Sequence, residues 1–372
     1  MTNATSRITG IDIARGLAVL GMFAAHLGHE VNGRPTPTWL VVVDGRSAAT
    51  FAVLAGLSVA LFTGRRTPPS GPALRNARWR VVSRAAVILV IGAFLSALGT
   101  PVAVILPSYA VTFLLLVPAL RAPPVVAAYL AAVAAVVGPL LVALATTAPP
   151  GEPNWLLRTL GTDSGLILDL FLTGYYPAVV WIAYMLLGLA VGRLDLGALR
   201  VQLALGATGV VLALVGYLGS DALLAALGPN ASPLALRLAR AEPHDDSTLE
   251  LVGNSGVALA VLAACLLVTT APATARVARV VLDPLASTGA MALSVYSFHI
   301  VAIAILGNDV VWRTESNAVL GWFIVVTLVL ATAWRHWLGR GPLERLMRAV
   351  SVGAVTPSGT PAAPQGSAVP RP

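Results

Sequence analysis

Apolar residues fall in ten long blocks, at about 10–29, 39–63, 81–99, 102–120, 124–146, 174–192, 202–219, 250–271, 285–306 and 318–337. Each is near or above the ~18–20 residues that carry a helix across a ~30 Å hydrocarbon layer, and well beyond the ~10 of a barrel strand. The pattern predicts an all-α integral membrane protein, a polytopic bundle of about ten transmembrane helices. The polar breaks set its orientation. Arg65, Arg66, Arg75, Arg78 and Arg80 follow the second block, Arg193 and Arg200 the sixth, Arg276 and Arg279 the eighth, and Arg335, Arg340, Arg345 and Arg348 the tenth. These breaks alternate with acidic ones holding Glu152, Asp163 and Asp169, then Asp221, Glu242, Asp245 and Asp246, then Asp309 and Glu315. Arginine stays on the cytoplasmic side, so both termini are expected there and the chain reads as a multi-pass protein of the cytoplasmic membrane.

Composition agrees and removes several alternatives. With 57% hydrophobic residues, 11% charged and a mean hydropathy of +0.83, the chain lies outside the range of soluble domains. All 24 basic residues are Arg, and their clusters lie in the loops that set topology, so the net charge of +8 marks a lipid-bilayer protein and no nucleic-acid surface. Cys265 stands alone and forms no internal disulfide. Asp12 and Arg15 interrupt any signal-peptide pattern, so the first span is expected to be retained. Residues 1–350 read as one membrane domain. Residues 351–372, rich in Pro, Ala, Gly and Ser, read as a disordered cytoplasmic tail. The longest outer loops are expected at about 147–173 and 220–249.

The first span carries chemistry that hydrocarbon alone would reject. Asp12, Arg15 and His26 lie within it, and each is costly inside a membrane. Asp12 is one turn from Arg15 and is placed to pair with it. Arg15 and His26, eleven positions apart, share a face and are separated by about 16 Å along the axis. In the second span Asp44 and Arg46 lie near the outer end, at the depth of His26. An Asp beside a His fixes its tautomer and raises its basicity, as a general base needs; Asp44 paired with Arg46 is the plainer alternative. Before the third span, Arg75, Arg78, Arg80 and Arg84 offer forked donors to phosphate at the cytoplasmic mouth, although topology alone would also put arginines there. The ninth span brings Tyr296 and the intramembrane His299. In the segment 242–250, His244 with Asp245, Asp246 and Glu250 suits either an acceptor contact or a solvated loop whose Glu250 serves the helix start. Tyr175, Tyr176 and Trp181 read as an interfacial belt, His336 as an interfacial residue, and Gly341-Pro-Leu-Glu-Arg345 suggests no chemistry. No P-loop, zinc pattern or Gly-x-Ser-x-Gly elbow occurs, so no metal and no bound cofactor is expected.

Asp12-x-x-Arg15-Gly16 followed by His26, Arg75-x-x-Arg78 before the third span, and Ser294-x-Tyr296-x-x-His299 late in the chain resemble, in that order, the motifs of acyltransferase family 3. The opening also resembles the heparan-α-glucosaminide N-acetyltransferase group. The resemblance implies a membrane O- or N-acyltransferase that moves an acyl group, expected to be acetyl, from cytoplasmic acyl-CoA as co-substrate to a glycan or lipid-linked acceptor at the outer face. In this reading His26 is the base or a transient acyl carrier and Asp44 orients it. Asp12, Arg15, Arg75, Arg78, Arg80 and Arg84 hold the donor; Arg46, Tyr296 and His299 line the chamber; and His29, His244 and Glu250 lie toward the acceptor. Two departures stand out. Ala55 replaces a frequent Ser, and the acetyltransferase group places its His later, where this chain has Pro35-Thr36-Pro37, which keeps His29 as a substitute for His26. A secondary transporter or flippase of an anionic or lipid-linked substrate would use the same intramembrane charges, although no strong internal repeat is seen. A non-catalytic envelope partner is the third option, and self-association is left open.

Overall fold

The computed structural model describes residues 8–29, 39–146, 165–228, 230–312 and 316–353. Most of the loop at 147–173, the Pro35–Pro37 region and the tail from Thr356 lie outside them. Among the described residues helices are the only regular secondary structure. Its principal helices are α1 (Thr9–Leu27), α2 (Arg46–Phe62), α3 (Gly71–Ala97), α4 (Leu106–Leu116), α5 (Pro124–Thr146), α6 (Ala178–Gly192) and α7 (Leu199–Leu227). They continue with α8 (Pro233–Ala239), α9 (Thr248–Thr270), α10 (Ala275–Val281), α11 (Asp283–Ala290), α12 (Ala292–Leu306), α13 (Ala318–Leu338) and α14 (Pro342–Gly353). Seven helices are long and apolar enough to cross a membrane, or nine if each of two bent pairs counts as one span. This is a multi-pass membrane protein.

Three expected spans take other forms. The block at 285–306 is two helices, α11 and α12, bent by 83° about Met291. The block at 174–192 is α6 preceded by a helical piece at Leu166–Thr173, bent by 55° where Gly174 and Pro177 interrupt the chain. The block at 102–120 is a shorter helix running from Leu106 to Arg121, whose last turns tighten to 3-10 form from Val117. The supposed loop at 220–249 begins as the last turns of α7 and contains α8.

Two shells follow from where apolar side chains go. The apolar stretch of α1 is 72% buried and that of α2 61%, against 11% for both α7 and α13, so α1 and α2 are core helices while α7 and α13 face lipid. Helix α1 packs against α2, α9, α11, α12 and α13. Glycines permit the closest approaches, as membrane helices without a hydrophobic drive between them require. A Cβ on Gly289 would meet the Asp12 carbonyl oxygen at 1.8 Å and one on Gly16 the Leu285 carbonyl oxygen at 2.3 Å, so α1 and α11 touch backbone to backbone. Gly56 and Gly188 join α2 and α6 the same way. Where those two helices end, buried Arg193 donates to the carbonyls of Thr63 (3.1 Å), Arg65 (2.7 Å) and Leu120 (2.8 Å), tying three helix termini with one guanidinium.

Candidate active site

At the end of the bundle where α1 finishes lies a cavity of about 270 Å³, lined among others by His26, Asp44, Tyr175, Tyr176, His244 and Tyr296. His26 Nδ1 is 3.0 Å from His299 Nε2, and the two rings are nearly parallel, 7° apart in plane. His299 is buried, with Phe23 against its ring at 4.5 Å, and its Nδ1 reaches the carbonyl oxygen of Tyr296. A carbonyl only accepts, so Nδ1 of a neutral His299 carries the proton and its Nε2 accepts. His26 must then donate from Nδ1, leaving its lone pair on Nε2. The chain of two imidazoles fixes the tautomer of the one that lines the cavity.

Asp44 lines the same cavity as His26 and lies within electrostatic reach of it, but it pairs with another imidazole. It was expected to orient His26, but its Oδ1 lies 3.5 Å from His244 Nε2 and accepts from the Gly45 amide at 3.0 Å, while His299 orients His26. The plainer pairing of Asp44 with Arg46 does not form either. The Arg46 guanidinium donates to the Val41 and Asp44 carbonyls and stacks over Tyr217, 4.4 Å from the ring centre. Helix α2 begins at Arg46 because Gly45 takes φ of +67°, and that turn leaves the Asp44 side chain at the cavity wall.

The 242–250 segment is no solvated loop. His244 has a side chain only 11% exposed, held between Tyr175 (4.4 Å) and Tyr176 (5.5 Å). Glu250, buried at the start of α9, accepts from the amides of His244 (2.9 Å) and Asp246 (2.8 Å) and from Asn254 Nδ2 (3.1 Å). Ser247 Oγ accepts from the Glu250 amide at 3.0 Å, so the Ser-x-x-Glu spacing forms a variant of the capping box in which the carboxylate gathers the preceding loop. These bonds hold His244 and Asp246 in left-handed backbone conformations, φ +66° and +53°. Asp246 accepts from Trp181 Nε1 at 3.3 Å, and burial, with Glu250 next to it, pushes its carboxyl well above the usual range. Tyr176 and Trp181 are buried, 8% and 4% exposed; where the sequence suggested an interfacial belt, Tyr176 forms part of the cavity wall and Trp181 packs against its ring. Pro177 between them, which breaks the helix, was the overlooked signal.

At the opposite end of α1, Arg15 pairs with buried Asp12 at 3.1 Å, and its other nitrogen donates to Ser58 Oγ at 2.5 Å. Arg84 lies within electrostatic reach of both Arg80 and Arg15, and its guanidinium sits 3.9 Å from the Phe62 ring centre. Arg80 opens into a second cavity of about 580 Å³ whose wall includes Phe62, Asn76 and Arg348. Arg75 and Arg78 are exposed and outside that wall, because they project from the other side of α3. His29 is also apart from the first cavity; its amide donates to Asn317. His336 bonds Asp283 at 2.9 Å. Two further residues contribute here that the sequence assigned only to topology or to no chemistry. Arg348 faces Arg80 from α14, and Glu344 binds the start of α12, taking the Leu293 and Ser294 amides at 2.9 and 3.2 Å and Ser294 Oγ–H at 2.6 Å. The amphipathic spacing of 342–353, with Arg345 and Arg348 one turn apart, was the available sign.

The model of the heparan-alpha-glucosaminide N-acetyltransferase catalytic family matches residues 7–226, more than half of the chain. The protein belongs to that family. The match spans Asp12, Arg15, His26, Asp44, Arg80 and Arg84. A second model, a family of proteins of unknown function (DUF418), matches residues 199–354 and so contains His244, Tyr296, His299, Glu344 and Arg348. No curated protein matches the chain. Membership of that family points to acetyl transfer as the class of chemistry, and the first cavity is lined by the imidazoles of His26 and His244, the Asp44 carboxylate and the phenols of Tyr175, Tyr176 and Tyr296.

Proposed function

We propose that the protein is an acyltransferase that takes an acyl group, in the first instance acetyl, from cytoplasmic acyl-CoA and delivers it to a hydroxyl or amine of a glycan or lipid-linked acceptor on the other side of the cytoplasmic membrane. The Arg-rich loops support a cytoplasmic placement of both termini, and with it of the Arg15, Arg80, Arg84 and Arg348 end. Four guanidinium groups drawn together with Asp12 as the acid among them suit the phosphates of the donor. The pantetheine arm would run along α1 over the roughly 16 Å between Arg15 and His26, putting the thioester in the first cavity. His26 is the catalytic imidazole there. Its free Nε2 is available to take a proton from the acceptor or to carry the acetyl group in transit.

The observation that carries this reading is the His26–His299 pair, which presents one imidazole lone pair to a cavity in a chain of the acetyltransferase family. The test is thiol release from acetyl-CoA by the purified protein in detergent, with a lipid extract of the native host as acceptor, for the wild type, His26→Ala and His29→Ala. Release should fall by about 10²–10⁴-fold in His26→Ala and persist in His29→Ala. Release that is indifferent to His26 would refute its role, and a wild type that neither binds nor cleaves acyl-CoA would refute acyl transfer.

A further inference from the structure

The first cavity holds a second imidazole whose attachments mirror those of His26. His244 Nε2 faces the Asp44 carboxylate at 3.5 Å, and a carboxylate can only accept, so the proton of a neutral His244 is held on Nε2. Its lone pair is thereby placed on Nδ1. That nitrogen is buried and has no hydrogen-bond partner among the described residues, a costly condition for a polar atom. The backbone beneath is held in a left-handed conformation by Glu250, and strain of this kind persists where the surroundings over-determine a geometry. Two tyrosine rings fix the imidazole plane. An oriented imidazole with a carboxylate behind it and an unsatisfied lone pair on the other nitrogen is the arrangement by which a base is prepared to take a proton.

Resting on the acyltransferase reading, we propose that His244, oriented by Asp44, is the base that deprotonates the acceptor, and that His26 carries the acyl group. In the first step His26 Nε2 attacks the thioester carbonyl carbon, the C–S bond breaks and the electron pair leaves on the CoA thiolate. The His26 Nδ1 proton passes along its 3.0 Å contact to His299 Nε2, so the acetyl-imidazole is neutral and His299 holds the charge. In the second step the acceptor O–H or N–H gives its proton to His244 Nδ1 as its oxygen or nitrogen attacks the acetyl carbon. The C–N bond breaks, His26 regains its Nδ1 proton from His299, and His244 passes its own to the thiolate. The sum is acyl-CoA plus acceptor giving acylated acceptor plus CoA thiol. Each of the two imidazole lone pairs is used once.

The test compares two acceptors that differ in their need for a base. Hydroxylamine attacks acyl groups as the free amine, whereas glycerol must lose a hydroxyl proton. Full-length protein in detergent is given acetyl-CoA, and thiol release above the uncatalysed background is followed with each. In His244→Gln the ratio of the glycerol rate to the hydroxylamine rate should fall by about 100-fold, and Asp44→Asn should lower it in the same direction, both variants eluting from gel filtration as the wild type does. A ratio unchanged in His244→Gln, equal loss toward both acceptors, or a wild type that transfers to hydroxylamine but to no hydroxyl acceptor overturns the proposal while leaving acyl transfer intact. A wild type with no release to hydroxylamine overturns the acyltransferase reading itself.

Discussion

Removing the Glu344 carboxylate should loosen the helix that holds His299. Helix α12 starts abruptly at the 83° bend, so its first amides have no preceding turn to serve them, and a side chain from α14 meets the need. Glu344 Oε1 takes two of those amides and Oε2 takes the Ser294 hydroxyl. Loss of a capping side chain costs about 1–2 kcal/mol, and a negative charge at a partly buried helix N-terminus contributes about 0.5–2 kcal/mol more. Glu344→Ala should therefore destabilise the protein by about 1.5–4 kcal/mol. Glu344→Gln, which keeps one oxygen acceptor, should cost roughly half of that. Unfolding in mixed micelles measures the difference, and the double variant with Ser294→Ala isolates the pairwise part, expected at about 1 kcal/mol or more because the two side chains touch. If Glu344→Ala unfolds within about 0.5 kcal/mol of the wild type, water serves the amides as well as the carboxylate does, and the capping account is wrong.

Arg348→Gln should raise the KM for acetyl-CoA by about 10–100-fold with a smaller change in kcat, since a charge-assisted bond to phosphate is worth about 1.5–3 kcal/mol; equal KM values in the variant and the wild type would remove α14 from the donor site. Asp246 supplies a pH dependence. Its carboxyl is raised above the ordinary 3.8, so the native state keeps the proton to higher pH than the unfolded chain does. The stability it contributes is complete below that ordinary value and declines as pH rises through the native one, each tenfold displacement of proton affinity being worth about 1.4 kcal/mol. Asp246→Asn preserves an acceptor for Trp181 and has no proton to lose, so its melting temperature relative to the wild type should improve between pH 4 and pH 8; a difference constant with pH would refute the assignment.

Helicity and most spans were legible because long apolar blocks have few other solutions in lipid. The bend at Met291 was not, since Met291 is a good helix former and the break is enforced from outside, by α11 closing on α1 through Gly289 and by Glu344 binding α12. The motif residues Asp12, Arg15, His26 and His299 stood out as charges or imidazoles that hydrocarbon would not tolerate without a reason. Their partners did not. Asp44 and His26 share a depth, and depth was the only coordinate available; the neighbour of each was settled by contacts across about 200 residues of sequence for His244 and 273 for His299. Arg80 and Arg84 could not be separated from Arg75 and Arg78 by composition, because topology places arginine in such loops whatever its task, and only the face of α3 distinguishes them.

The pairing of His26 with His299 bears on how such a chain could arise. The segment matching the acetyltransferase family ends at residue 226 and the DUF418 segment begins at 199, yet the first cavity takes its wall from both, and the overlap runs along a single helix, α7. The seam between the two sequence signatures is therefore not a seam in the molecule. A gene fragment cut at that boundary would inherit one imidazole of a pair and one side of a chamber. Any exchange of halves between related genes has to preserve the match at this contact as well as membrane topology, which ties the two signatures into a single unit of inheritance.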